Sequence, residues 1–131
     1  MEPANADQMH HRQVEKDTAL ADMAAVLHQI EVEKRDPDRW ERVHLVQAFA
    51  AIFSGCYTLA SVEARSALAP VSERSPRANL AHDPVIEQCD LPTLMRVWQA
   101  AKADPVEQFA HFGPVVLKGI VPKNPGKSWL S

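Results

Sequence analysis

The stretch Leu45–Val62, LVQAFAAIFSGCYTLASV, runs for eighteen residues without a formal charge in a chain that is 24% charged. Its reading decides the fold. As a single helix it would extend roughly 27 Å, barely the thickness of a hydrocarbon core. It carries Gln47, Ser54, Gly55, Thr58 and Ser61, much of its apolar content is alanine, and Arg42, Glu63 and Arg65 crowd its ends. A membrane span is therefore not expected. Nor is a nucleophile elbow, since Ser54-Gly55-Cys56 lacks the GxSxG frame and no strand precedes it.

Wound at about 100° per residue, Leu45, Val46, Phe49, Ile52, Phe53, Cys56, Tyr57 and Leu59 cover more than half the circumference. Gln47, Ala51, Ser54, Gly55, Thr58 and Arg65 take the other side. This describes a core helix of a bundle, with Ala51 and Gly55 spaced four apart so that a second backbone could come close. Cys56, inside the apolar arc, reads as a buried and inert thiol.

Around this element the chain is helical in character. With 131 residues, 46% apolar content and only four glycines, it suits one all-α domain with a single core. A first helix is expected from near Asp17 or an earlier residue to about Lys34, its stripe formed by Leu20, Met23, Val26, Leu27 and Ile30. The second is expected to start at Pro37 and end before Pro70. The short connection makes the two an antiparallel hairpin.

Asp36-Pro37, Asp83-Pro84 and Asp104-Pro105 each resemble a helix start, with aspartate as cap and proline in the first turn. Glu107 completes a capping-box pattern with Asp104. Residues 69–83 read as a loop, PVIEQC as a short helix, and a clearer helix follows Asp90 with Leu91, Leu94, Met95 and Trp98 on one face. A further short turn is expected in PVEQFAHF after Asp104. Three segments result: a polar leader over 1–16, a helical domain over 17–112, and an extended arm over 113–131 broken by proline and glycine. The arm holds Val115, Val116, Leu117, Ile120, Val121 and Trp129, too apolar to be left wholly solvated.

The net charge of −3 divides into −6 for the body and +3 after Glu107, where Lys118, Lys123 and Lys127 stand without an acid. Neither a nucleic-acid nor a membrane partner is implied. Two cysteines without CxxC spacing make no disulfide framework. The start, MEPANADQMHHRQ, lacks a basic segment followed by an apolar one, so a cytoplasmic location is the expectation.

Candidate chemistry is thin. His28 with Glu31 and Glu41 with His44 stand at i, i+3 spacing on neighbouring helices, the ligand types and separation that could hold zinc or iron between them. A complete di-iron set would need further carboxylates and a second ExxH motif, which the sequence lacks. Arg39 to His44 and Arg77 to His82 offer an arginine and a histidine at the spacing of a histidine-dependent ribonuclease, yet the acidic body is a poor surface for RNA. No phosphate-binding loop or dinucleotide fingerprint is present.

The sequence therefore points to a non-catalytic interaction or assembly protein, with a homodimer the first expectation. Its contacts are placed at Ala51, Gly55, Val116, Ile120 and Trp129, and no cofactor is expected. A metal- or small-molecule-binding bundle at His28, Glu31, Glu41 and His44 is the alternative.

Overall fold

A computed structural model describes residues 3–74, 84–104 and 106. Among them the chain forms α1 (Pro3–Val32), α2 (Arg39–Phe53), α3 (Tyr57–Ala67), a 3-10 turn (Val71–Glu73), α4 (Pro84–Glu87) and α5 (Leu91–Ala103), with no strand. The all-α class follows the composition. The helix boundaries differ from the periodicity at three places, each for a local physical reason.

The first is the uncharged stretch, which is two helices rather than one. Ser54 caps α2, and Gly55 takes a positive φ of 80°. Cys56 N then donates to Ala51 O at 2.8 Å and Gly55 N to Ile52 O at 3.1 Å. These paired bonds satisfy the last carbonyls of α2 and turn the chain back, with glycine where a Cβ would clash. The break resets the helical phase. The buried face of α3 becomes Tyr57, Ala60, Ser61, Ala64 and Ala67, while Leu59 is 51% exposed and Cys56 lies on the surface. The expectation of an inert buried thiol at Cys56 is thus overturned; Cys89 is the buried one.

The second is the start of α2. Asp38, not Asp36, is its cap: Glu41 N donates to Asp38 Oδ1 at 2.8 Å and Asp38 N to Glu41 Oε1 at 2.9 Å. Only Asp38 has a glutamate three residues on, so only it can form the reciprocal box. Asp90 caps α5 by the same logic, accepting from Thr93 N, and the Thr93 hydrogen bonds hold its carboxyl below the usual aspartate range. Asp104 closes α5, and the helix start expected after it lies outside the described residues.

The third is the leader. Residues 3–16 continue α1, which has no glycine or proline after its first residue to stop it. Its Leu20, Met23, Val26, Leu27 and Ile30 are all buried, as the stripe predicts. At its other end Lys34 adopts a positive φ of 53° and the chain turns toward α2.

Hydrogen bonds between helices give their directions. Trp40 Nε1 donates to Ser66 O at 2.7 Å and His44 Nδ1 meets Glu63 Oε1 at 2.8 Å, so α2 and α3 run antiparallel. Arg12 reaches Gly55 O, Glu15 reaches Thr58 and Asp22 reaches Ser61, so α1 and α3 run parallel. Trp98 Nε1 donates to Leu20 O at 2.9 Å, and Lys16 to the Asp104 carbonyl, making α5 antiparallel to α1.

The most extensive packing joins α2 with α3 and α1 with α3, while α1 and α2 touch only lightly. The hairpin at the centre of this bundle is therefore α2–α3, not the first two helices. α3 has inserted itself between them because its alanine face admits both neighbours closely. α5 closes the opposite side against α1 and α2. Phe49, Phe53, Met23, Ile30, Leu45 and Leu94 fill the core between. Among the described residues no helix is long and apolar enough to cross a membrane.

Candidate functional site

The four residues proposed to hold a metal do not converge. His28 and Glu31 are exposed on the side of α1 that meets α5. Glu41 is buried, and Arg35 grips it with two bonds of 2.7 and 2.8 Å while the Asp38 amide takes a third. That carboxylate is fully occupied in closing the turn before α2. Its hydrogen bonds, with those of Glu33, hold the Arg35 guanidinium more firmly protonated than usual.

His44 turns toward α3, with Nδ1 on Glu63 and its ring 4.3 Å from that of Trp40. Among the described residues no group of three or more histidines, cysteines or carboxylates could hold a metal ion. The i, i+3 pattern is real in sequence, but the light contact between α1 and α2 separates its two halves.

The arginine–histidine pair fares similarly. Arg39 and His44 are five residues apart on one helix, so they project about 140° from one another. Arg39 Nη1 binds Glu87 Oε1 of α4 at 2.8 Å, while His44 binds Glu63 of α3. A carboxylate on one imidazole nitrogen is the usual way to orient the other for proton transfer. Here His44 Nε2 is buried with no hydrogen-bond partner among the described residues, and it does not line the one groove described below. Arg77 and His82 lie outside the described residues.

The interaction residues divide in the same way. Ala51 is only 6% exposed and belongs to the core; the carbonyl of Gly55 accepts from Arg12 Nη2 at 3.2 Å. The close approach that small residues permit is used within the chain, by α3 and α1, and leaves no free small-residue face there. Val116, Ile120 and Trp129 lie outside the described residues, as does the whole arm and the PVEQFAHF turn beyond Val106.

The feature that sequence reasoning did not place is a groove between α1 and α5. Ala24, Leu27, His28 and Glu31 form one wall and Met95, Trp98 and Gln99 the other, enclosing about 150 Å³. Leu27 is buried, Trp98 half-buried, and Met95 38% exposed. The lining is mostly apolar, with Glu31 its one carboxylate and the imidazole of His28 beside it. Lys102 stands over the Trp98 ring at 5.5 Å.

At the far end of the same helix pair, Lys16 is buried to 2% exposure and donates to the Asp104 carbonyl, closing the last turn of α5. Burial pushes its ammonium pKa down, with Asp104 and Asp17 pulling the other way. The Trp98–Leu20 and Lys16–Asp104 bonds fix the C-terminal half of α5 on α1, and the groove lies beside them, toward the C-terminal end of α1. The sequence did carry a hint, since Met95 and Trp98 share a stripe with Leu91 and Leu94. The actual buried face of α5, Thr93, Leu94, Val97 and Ala101, is rotated from that stripe, which leaves Met95 and Trp98 at its edge.

Compared with known protein families, with curated proteins and with solved structures, the chain matches none.

Proposed function

We propose that the protein is a non-catalytic interaction or assembly module of the cytoplasm, and that the α1–α5 groove is where it grips a protein partner, a second copy of the chain being the first candidate. The size and lining of the groove carry this reading. Small-molecule sites generally enclose 300–1,000 Å³. A space of about 150 Å³ walled by Leu27, Met95 and Trp98 suits one or two apolar side chains from another protein surface. Its rim residues, His28, Glu31 and Gln99, are suited to hydrogen bonds around such an insertion.

The fate of the polar candidates supports it too. Glu41, His44 and Arg39 are each engaged in intrachain pairs that position helices.

Native mass spectrometry of the full chain, purified without chelators, tests the reading beside Met95→Lys. The expected result is a dimer, or a complex with a protein partner, that Met95→Lys loses while its helical circular dichroism is unchanged. A monomer carrying a stoichiometric metal or metabolite overturns it. His44→Ala and His28→Ala would then locate the ligand.

A further inference from the structure

Arg35 and Arg42 use their guanidinium groups very differently. Arg35 sets both Nη atoms on the Glu41 carboxylate at 2.7 and 2.8 Å, and its Nε on Glu33. Arg42, though less exposed, has no such match. Its Nη1 stands 3.7 Å from Glu87 Oε2, beyond hydrogen-bond range, and its Nε is buried without a hydrogen-bond partner among the described residues. One turn earlier on α2, Arg39 Nη1 donates to Glu87 Oε1 at 2.8 Å. Its Nε and Nη2 are likewise buried and unpartnered among the described residues. Buried donors of a charged group cost free energy until an acceptor meets them. Arg96 on α5 brings a third guanidinium nearby: the Asp90 carboxyl, held below its usual range chiefly by Thr93, is lowered further by Arg96 and Arg42.

We propose that Arg39 and Arg42, with Arg96 beside them, form a binding site for a small tetrahedral oxyanion of the phosphate class, as the free ion or a monoester. The site lies where α2 packs with α4 and α5, and it is independent of the α1–α5 groove and of the partner read into it.

The geometry of the acceptor selects the class. A carboxylate has two oxygens in one plane, and Glu87 shows how far they reach: bonded to Arg39, it still falls short of Arg42. A phosphate turns three or more oxygens in different directions, so it can take a forked pair of bonds from one guanidinium and offer another oxygen to the next. Arg39 and Arg42 are 26% and 18% exposed, which leaves an ion a path to them. Charge agrees as well. Arg39, Arg42 and Arg96 against Glu87 and Asp90 leave one positive charge. Glu87 is exposed at the end of the four-residue α4, so an incoming phosphate can take its place on Arg39. The dianion and Asp90 then balance the three arginines.

Calorimetric titration of the full chain with inorganic phosphate, in a buffer free of other multivalent anions, tests this. Saturable one-to-one binding is expected, weakened about tenfold or more in Arg42→Gln. Arg65→Gln, which removes an exposed arginine of α3, should leave it unchanged. Glu87→Gln should bind phosphate more tightly because it removes the competing carboxylate, a gain that damage to the fold could not produce. The proposal is overturned by absence of saturable binding, by acetate binding equally well at matched ionic strength, or by Glu87→Gln binding no tighter. Unweakened binding in Arg42→Gln overturns it too. Methyl phosphate, titrated in parallel, separates the sources: tighter binding of the monoester supports an esterified ligand, and tighter binding of inorganic phosphate supports the free ion.

Discussion

The two sides of this bundle are built from different residues. On one, α3 meets α1 and α2 through Ala60, Ser61, Ala64 and Ala67, whose short side chains let the helices pack closely. On the other, α5 meets α1 with the half-buried Trp98 bonded to Leu20, and a groove lined by Met95 and Trp98 remains between them. The comparison teaches where the packing is closest and where it leaves room. The tight side holds the fold, while the other side has space that another surface can fill.

Ala64→Leu should show the largest effect. Ala64 has no exposure, and three added carbons in a closed interface have nowhere to go. A loss of about 1–3 kcal/mol is expected, read as a lower urea midpoint. A neutral result would mean that the tight side is looser than its alanines suggest.

Gly55→Ala should come next. The positive φ costs an alanine about 1–2 kcal/mol, offset by about 0.4–1 kcal/mol from a less free unfolded chain, for a net loss of about 1 kcal/mol in thermal unfolding. A larger loss would show that the α2–α3 turn is coupled to the packing beside it.

Ala24→Leu, the same chemical change as at Ala64 but in the groove wall, should have the smallest effect, within about 0.5 kcal/mol. Equal costs at positions 24 and 64 would erase the difference between the two sides.

Much of the fold could be read from the residues. The α1 stripe from Leu20 to Ile30 and the helix after Asp90 follow from periodicity and capping, both properties of neighbours in sequence. The break at Gly55 was also written locally, in a serine and a glycine ending an apolar run. It was obscured because a small residue in a helix has two meanings: a close approach or a stop. Only the carbonyls of Ala51 and Ile52, bonded beyond it, distinguish them. The metal pattern failed for a different reason. Spacing along α1 and α2 places His28 with Glu31 and Glu41 with His44, yet nothing local says whether the two pairs face each other.

By itself, then, the sequence determined the helical class, the stripes that go inward, the aspartate caps at Asp38 and Asp90 in kind if not always in position, and the opposite charge of body and arm. Each depends on forces acting within one or two turns. The tertiary structure alone decided that α3 lies between α1 and α2, that Lys16 is buried against Asp104, and that α1 and α5 leave a groove between them. Those outcomes depend on which faces fit together across long separations in the chain, where the volumes of alanine, leucine and tryptophan, rather than their order, set how closely helices can come.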